Sequence, residues 1–417
     1  MAGLYNNLRT NNHKICSLSS GDLGKQRTLF VLFESNVLKS DSNLFLRRLC
    51  IPQRYEVDIF YMATTSPMTV PASFEATLAS MRKKLKGIVP DFEIQMKAEL
   101  AHQINILKKE LNAIILGHNY MEPALYHSVP DHTGDSLQLS SIASKTSADI
   151  IVFCGVWFMG ETAKVLNPQK TVLVPSEHAG CSLAEGIHAE DVIELRKRFP
   201  GAPVVSYVNT YASVKAESDY CCTSGNADKV LKYLFDQGHK RVIFIPDEYL
   251  ARNTADQLNV AYLAGNDATG ENLPADTPVV IGWNVHCEVH ELFTVQDVEN
   301  VRRQHSDVVI IAHPECHPDV IAHVDVTGST KTMIDYIKEV DAPRYALLTE
   351  CTMGDNVAAE FPNKEVVRAC SLRCKHMNQI TLEDTLEALK KIQYKVELAP
   401  DIIQRAKQPI DRMIQIR

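Results

Sequence analysis

Short apolar runs recur along the chain from about residue 112 onward, each ending in a polar loop and followed by a stretch of helical period. The runs are "NAIILGHN", "ADIIVFCGV", "TVLVPS", "APVVSYVNT", "RVIFIPD", "TPVVIGWNVHC", "DVVIIAHPEC", "RYALLTEC" and "EVVRACS". Between them lie segments such as "AEDVIELRKRF", "ADKVLKYLFDQG", "VQDVENVRRQH" and "TKTMIDYIKEV", whose apolar positions fall on one helical face. A run too short for a helix and bounded by turn residues reads as a buried strand. Strands that alternate with helices are joined by crossovers, so they pair in parallel. The predicted class is therefore α/β, with several small parallel sheets. "FEIQMKAELAHQINILKKEL" adds a long helix ahead of the first strand. The polar start "MAGLYNNLRTNNHKICSLSSGDLGKQ" lacks a sustained period, and residues 1–90 read as a partly disordered N-terminal extension. Within it, Met62 offers an alternative start.

Composition narrows this picture. At 417 residues the chain calls for two or three compact units. A formal net charge of -8 argues against nucleic acid as the main partner, while leaving room for a small phosphorylated substrate. No apolar run approaches the ~20 residues needed to cross a bilayer, and no export signal is evident, so a cytoplasmic location without a membrane partner is expected. Eleven cysteines then need a use. Their odd number and wide spacing do not suggest a disulfide framework. Burial as small hydrophobes, or thiolate ligation of a metal, remain. Cys181, Cys287 and Cys374 are spaced by roughly one small α/β unit each, a hint of threefold repetition.

Parallel α/β sheets bind ligands at the carboxyl ends of their strands. Here those ends carry "GHNY", "SYVNT", "WNVHCEVH" and "AHPEC", a concentration of His, Cys, Asn, Tyr and Glu. The chain has no phosphate-binding glycine loop, no nucleophile elbow and no C-x2-C pair, so any metal must be held by dispersed ligands. His118, Asn119 and Tyr120 follow the first strand, as a turn or as site residues. Tyr207 and Asn209 stand two apart and face the same way. His313 and Glu315 form an acid–base pair in a proline-bounded loop. Ser136, Thr223 with Ser224, and Ser329 with Thr330 precede helical segments, as caps or as anion seats. Cys154 reads as packing, and the adjacent Cys221 and Cys222 as structural. Cys316, just after His313 and Glu315, is a rival ligand. In "ACSLRCKHMNQI" the spacing leaves both Cys370 and Cys374 open as ligands.

Taken together, "GHNY", "GDSL", "GVWFMGETAKVLNP", "AGCSLAE", "SYVNT", "VKAESDYCCTSGNA", "CEVHELFT", "HPEC", "GSTKTMI" and "CKHMNQITLE" make the chain resemble the quinolinate synthases of de novo NAD biosynthesis. The resemblance implies three similar α/β domains about a pseudo-threefold axis, with the active site at their junction. The domains would be 91–188 completed by C-terminal helices 380–417, then 189–290, then 291–379. It implies a [4Fe-4S] cluster held by Cys181, Cys287 and Cys374, with Cys370 as the spare and one iron left open. It further implies condensation of iminosuccinate with dihydroxyacetone phosphate to quinolinate, with loss of phosphate and two waters. An aspartate-oxidising enzyme would supply the iminosuccinate. By the same resemblance His118, Ser136, Tyr207, Asn209, Ser224, His290 and Thr330 would bind substrate, and Glu315, His313 and Tyr120 would move protons. Competing classes are a hydro-lyase using similar open-iron chemistry, an iron–sulfur redox sensor and, least favoured, a zinc protein.

Overall fold

In a computed structural model of the chain, residues 73–265, 277–368 and 370–416 are described. Most of the segment read as an N-terminal extension lies outside them. Its last part contains the helix Phe74–Leu85, which packs on the helix Asp91–Glu110 and buries Met81 and Leu85.

The first sheet holds β1 (Ala113–His118), β2 (His132–Gly134), β3 (Ile150–Cys154) and β4 (Thr171–Leu173), in the order β2-β1-β3-β4. The second holds β5 (Val204–Tyr207), β6 (Tyr220–Cys222), β7 (Arg241–Ile245), β8 (Ala261–Ala264) and β9 (Val279–Gly282), in the order β6-β5-β7-β9-β8. The third holds β10 (Val308–Ala312), β11 (Val326–Thr327), β12 (Arg344–Leu348) and β13 (Glu365–Val367), in the order β11-β10-β12-β13. Their ladders are parallel throughout. All nine apolar runs form strands. The four strands the pattern did not predict, β2, β6, β8 and β11, are short and lie at sheet edges, where a few residues carry no readable period.

Burial on both faces explains why the long runs do not alternate with polar residues. Val204, Ile243 and Ile281 pack to one side of the second sheet with Val192 and Leu195. Val205, Phe244 and Val280 pack to the other side with Val230 and Leu234.

The three sheets repeat one construction. The backbone N–H of Ile115, Val204 and Ile310 donates to Asp131, Asp219 and Asp325 respectively, each at 2.8 Å. Each aspartate also pairs with a base from the helix before the sheet: Lys108 at 3.0 Å, Arg196 at 2.8 Å and Arg302 at 3.0 Å. These pairs fix the register between the first strand of each sheet and its short edge strand. The positions that follow are equivalent as well. Three residues beyond the anchored N–H stand His118, Tyr207 and His313, and two further on Tyr120, Asn209 and Glu315. Five residues after each aspartate come Ser136, Ser224 and Thr330.

The C-terminal helices divide between units, where the sequence suggested that both complete the first. Leu382–Lys391 packs on Asp91–Glu110 and β3. Pro400–Gln415 lies chiefly along the helix Ala212–Ala216 and β6 of the second unit, and also touches Trp157–Leu166. Asn226 Nδ2 ties this last helix down through the carbonyls of Met413 and Ile416.

His127, after the short helix Pro123–Tyr126, is buried with its Nε2 lacking a hydrogen-bond partner. Burial, helped by the charge of Lys84, pulls its pKa down to about 3. Its folded pKa thus lies below the unfolded one, so the unfolded chain binds the proton first. The stability is present above pH ~6.5 and is lost as pH falls toward the folded pKa. In urea titrations at pH 7 and pH 5, the wild-type protein is expected to lose about 2 kcal/mol more than His127→Leu. Equal losses would refute this.

Candidate active site

The ends of β1, β5 and β10 converge on one cavity of about 720 Å³, part of it open to solvent. The thirteen residues to which the resemblance gives a site role all line it: His118, Tyr120, Ser136, Cys181, Tyr207, Asn209, Ser224, Cys287, His290, His313, Glu315, Thr330 and Cys374. The threefold construction accounts for nine of them, because each sheet delivers three side chains from equivalent positions. The three cysteines and His290 come from connections between elements.

Two of the cap readings are corrected. Asp135, not Ser136, caps the helix Ser136–Ala143 by accepting from Gln138 N. Asn226 holds the cap position of Ala227–Asp236, and its Oδ1 accepts from Thr223 N. At Thr330–Glu339 the cap is Ser329, one of the two residues offered there. Ser136, Ser224 and Thr330 are thereby left at the cavity wall. Thr330 Oγ1 accepts from Asn119 Nδ2 at 2.9 Å, so Asn119 supports the site from behind.

Glu315 is the electrostatic centre. It is buried, with Oε1 accepting from Tyr207 Oη at 2.5 Å and Oε2 lying 2.7 Å from His290 Nδ1 and 3.8 Å from His313 Nδ1. Burial pushes its pKa up, but the neighbouring histidines and the Tyr207 hydrogen bond outweigh this and hold the carboxyl below its ordinary range. Burial keeps the surrounding groups neutral: His118 is pulled down to about 4, His313 to about 3, and the Tyr120 and Tyr207 hydroxyls are pushed well up.

His290 connects Glu315 to the thiols. Its ring stacks on His313 at a centroid distance of 4.6 Å, and its Nδ1 lies 3.2 Å from Cys287 Sγ. Its Nε2 meets Thr349 Oγ1 at 2.9 Å, and Thr349 Oγ1 in turn meets Tyr120 Oη at 2.5 Å. One ligand atom each from Cys287, His290 and Glu315 falls within 4.8 Å of the others.

The donor chemistry suits an iron–sulfur cluster. Burial raises the Cys181 and Cys287 thiols, and pushes Cys374 up to about 11. No lysine or arginine lines the cavity among the described residues. Three half-buried cysteines around one such space fit a bound metal centre, whose own charge would deprotonate them. The rival thiols lie elsewhere. Cys316 is buried beside the Leu348 carbonyl, 3.6 Å away, behind the cavity wall. Cys154, Cys221 and Cys222 are in the core. Cys370 is joined to Cys351 as a disulfide, a pairing the sequence reading did not anticipate because nineteen residues separate the two. The cysteine at 370 is thus engaged, and the one at 374 is free at the cavity.

Sequence reasoning also missed Thr349 and Glu350. Glu350 lines the cavity, caps the helix Cys351–Glu360, accepts from Cys374 N at 3.4 Å, and is pushed by burial up to about 7. The usable signal was their place at the end of β12 in "LLTEC", the same address that marked the other site residues.

A chamber at the carboxyl ends of three repeated parallel sheets, with three free thiols facing an acid–base network, defines an α/β enzyme site whose thiols are placed to hold a metal centre. The family model described as Quinolinate synthetase A protein matches residues 102–415. Quinolinate synthase 2 of Mesorhizobium japonicum is 46% identical over 345 residues, covering 83% of this chain and 100% of that protein. Quinolinate synthase of Agrobacterium fabrum is 43% identical over 369 residues, covering 88% of this chain and 99% of that protein. Quinolinate synthase of Xylella fastidiosa is 47% identical over 310 residues, covering 74% and 85%. The chain belongs to the quinolinate synthase family. It is an enzyme of NAD biosynthesis, and its three parallel sheets are those expected of the family.

Proposed function

We propose that this chamber condenses iminosuccinate with dihydroxyacetone phosphate to give quinolinate, phosphate and two waters, with Cys181, Cys287 and Cys374 holding a [4Fe-4S] cluster. The observation that carries the reading is the chain of contacts from Tyr207 through Glu315 and His290 to Cys287, which joins a buried base to the thiols. When bound, a cluster with three protein thiolates supplies an open iron that acts as a Lewis acid.

The residues of the chain do the rest. Ser136 and Thr330 open helices of eight and ten residues, where hydroxyls and first-turn amides favour anions. With Ser224 they seat the substrate carboxylates and the phosphate. No lysine or arginine is needed at the wall. His118, Tyr207 and Asn209 orient the bound carbon skeleton. Glu315, held ionised by its neighbours, accepts protons from the carbons that lose water, and His290 and Tyr207, already hydrogen-bonded to it, pass them on. Neutral His313 and Tyr120 donate to leaving hydroxyl groups. Burial excludes bulk water, which would hydrolyse an imine.

Iminosuccinate is short-lived, so an aspartate-oxidising enzyme is the expected supplier. We assign the reaction to the cytoplasm, the location expected for this family of NAD-biosynthesis enzymes. No helix among the described residues is long and apolar enough to cross a membrane.

The test is direct. Anaerobically reconstituted protein is expected to carry about four irons and four sulfides per chain, and to form quinolinate from enzymatically generated iminosuccinate and dihydroxyacetone phosphate. Fully loaded protein that forms none would overturn the reading.

A further inference from the structure

The three corners of the chamber close in two different ways. After His118 and His313, the loop ends at Pro123 and Pro318, each the first residue of a short helix. A proline there fixes its own φ and needs no partner for an N–H. The equivalent residue after Tyr207 is Ala212, which opens the helix Ala212–Ala216. This corner has no proline, and its N–H donates to Glu161 Oε2 at 2.6 Å.

Its loop is held instead by Lys215. That side chain is fully buried, and its Nζ donates to Val208 O at 2.8 Å and to Thr210 O. The two carbonyls flank Asn209, so one ammonium grips the backbone on both sides of a cavity residue. The same Nζ lies 5.4 Å from the centre of the Phe158 ring, and Phe158 itself lines the cavity. Burying an ammonium is costly, and an apolar residue would fill the space without that cost. What an apolar residue could not do is donate to the Thr210 carbonyl and add a second donor to Val208 O, which also accepts from Thr210 N, in a loop without proline.

We propose that Lys215 is a positioning residue for the second corner of the active site, holding the Val208–Thr210 backbone so that Asn209 meets the substrate. The inference rests on the substrate role assigned to Asn209 above. Lys215 touches no substrate and acts only through the loop.

The experiment is a double-mutant cycle on quinolinate binding, measured by equilibrium titration of the reconstituted protein. Asn209→Ala and Lys215→Met are each expected to weaken affinity about tenfold, the loss of one good hydrogen bond. The double variant should be no weaker than Asn209→Ala alone, because a misplaced loop matters only while Asn209 is there to be misplaced. Lys215→Gln, which keeps an amide donor without the charge, should recover part of the affinity. Circular dichroism and iron content should match wild type in each. Additive losses, about a hundredfold in the double variant, would overturn the positioning role while leaving Asn209 as a contact. An unchanged affinity in Asn209→Ala would instead remove the substrate role of Asn209, and this inference with it. If neither Lys215 variant yields folded protein, Lys215 is a structural prop and the proposal fails.

Discussion

Cys374→Ser is expected to purify folded but without a stable cluster, with iron and sulfide well below wild type and quinolinate formation at background. The reasoning starts from the ligand set. Only three free thiols line the cavity among the described residues, so losing one leaves two, and the remaining cavity donors are histidines and carboxyls already engaged with each other. Serine is nearly isosteric, but its hydroxyl is a far weaker ligand for iron than a thiolate. Cys374 is partly exposed, and its backbone bonds to Glu350 and Asn378 do not involve the side-chain atom that changes, so the near-isosteric substitution should not disturb packing. Cys370→Ser is the matched control. It breaks the link to Cys351 yet leaves the three cavity thiols intact, so the cluster should remain. Cluster loss from Cys370→Ser together with retention in Cys374→Ser would reverse the assignment.

Glu315→Gln should lower turnover by about 10²–10⁴, the usual range for removing a positioned base, while iron content stays at the wild-type level. Glutamine preserves the shape and can still accept from Tyr207 through its carbonyl oxygen. It cannot hold a negative charge, and its amide would face His290 Nδ1 where a carboxylate oxygen now sits. The effect should therefore fall on turnover far more than on product affinity. Near-normal turnover would dismiss Glu315 as the base and shift attention to Glu350, another buried carboxyl at the cavity wall.

Much of this molecule was legible beforehand because its strands are buried on both faces. Continuous apolar runs such as "RVIFIPD" and "DVVIIAHPEC" are hard to mistake, and the polar residues immediately after them mark the site. The edge strands β2, β6, β8 and β11 were not legible, since β11 has two residues and β6 reads only "YCC". The threefold repeat was sought in cysteine spacing, where it is irregular. It stands more clearly in the aspartates of "DHTGDS", "DYCCTS" and "DVTGST", each followed at the same distance by the Ser or Thr of the cavity. Thr349, Glu350 and Lys215 were overlooked for a different reason. Their roles depend on long-range contacts, and a lysine in "SVKAES" looks like any solvated helix residue until the loop before it is seen folded back over its side chain.

The order of the thiols along the chain bears on how the enzyme is made. Cys181 emerges from the ribosome early, Cys287 a whole sheet later, and Cys374 only after β13 is complete. With Cys181, Cys287 and Cys374 as the proposed ligands, a nascent chain that has released only the first two sheets offers two thiols. The full set exists only once the third sheet has been made, so the proposed cluster would be loaded after all three sheets are in place.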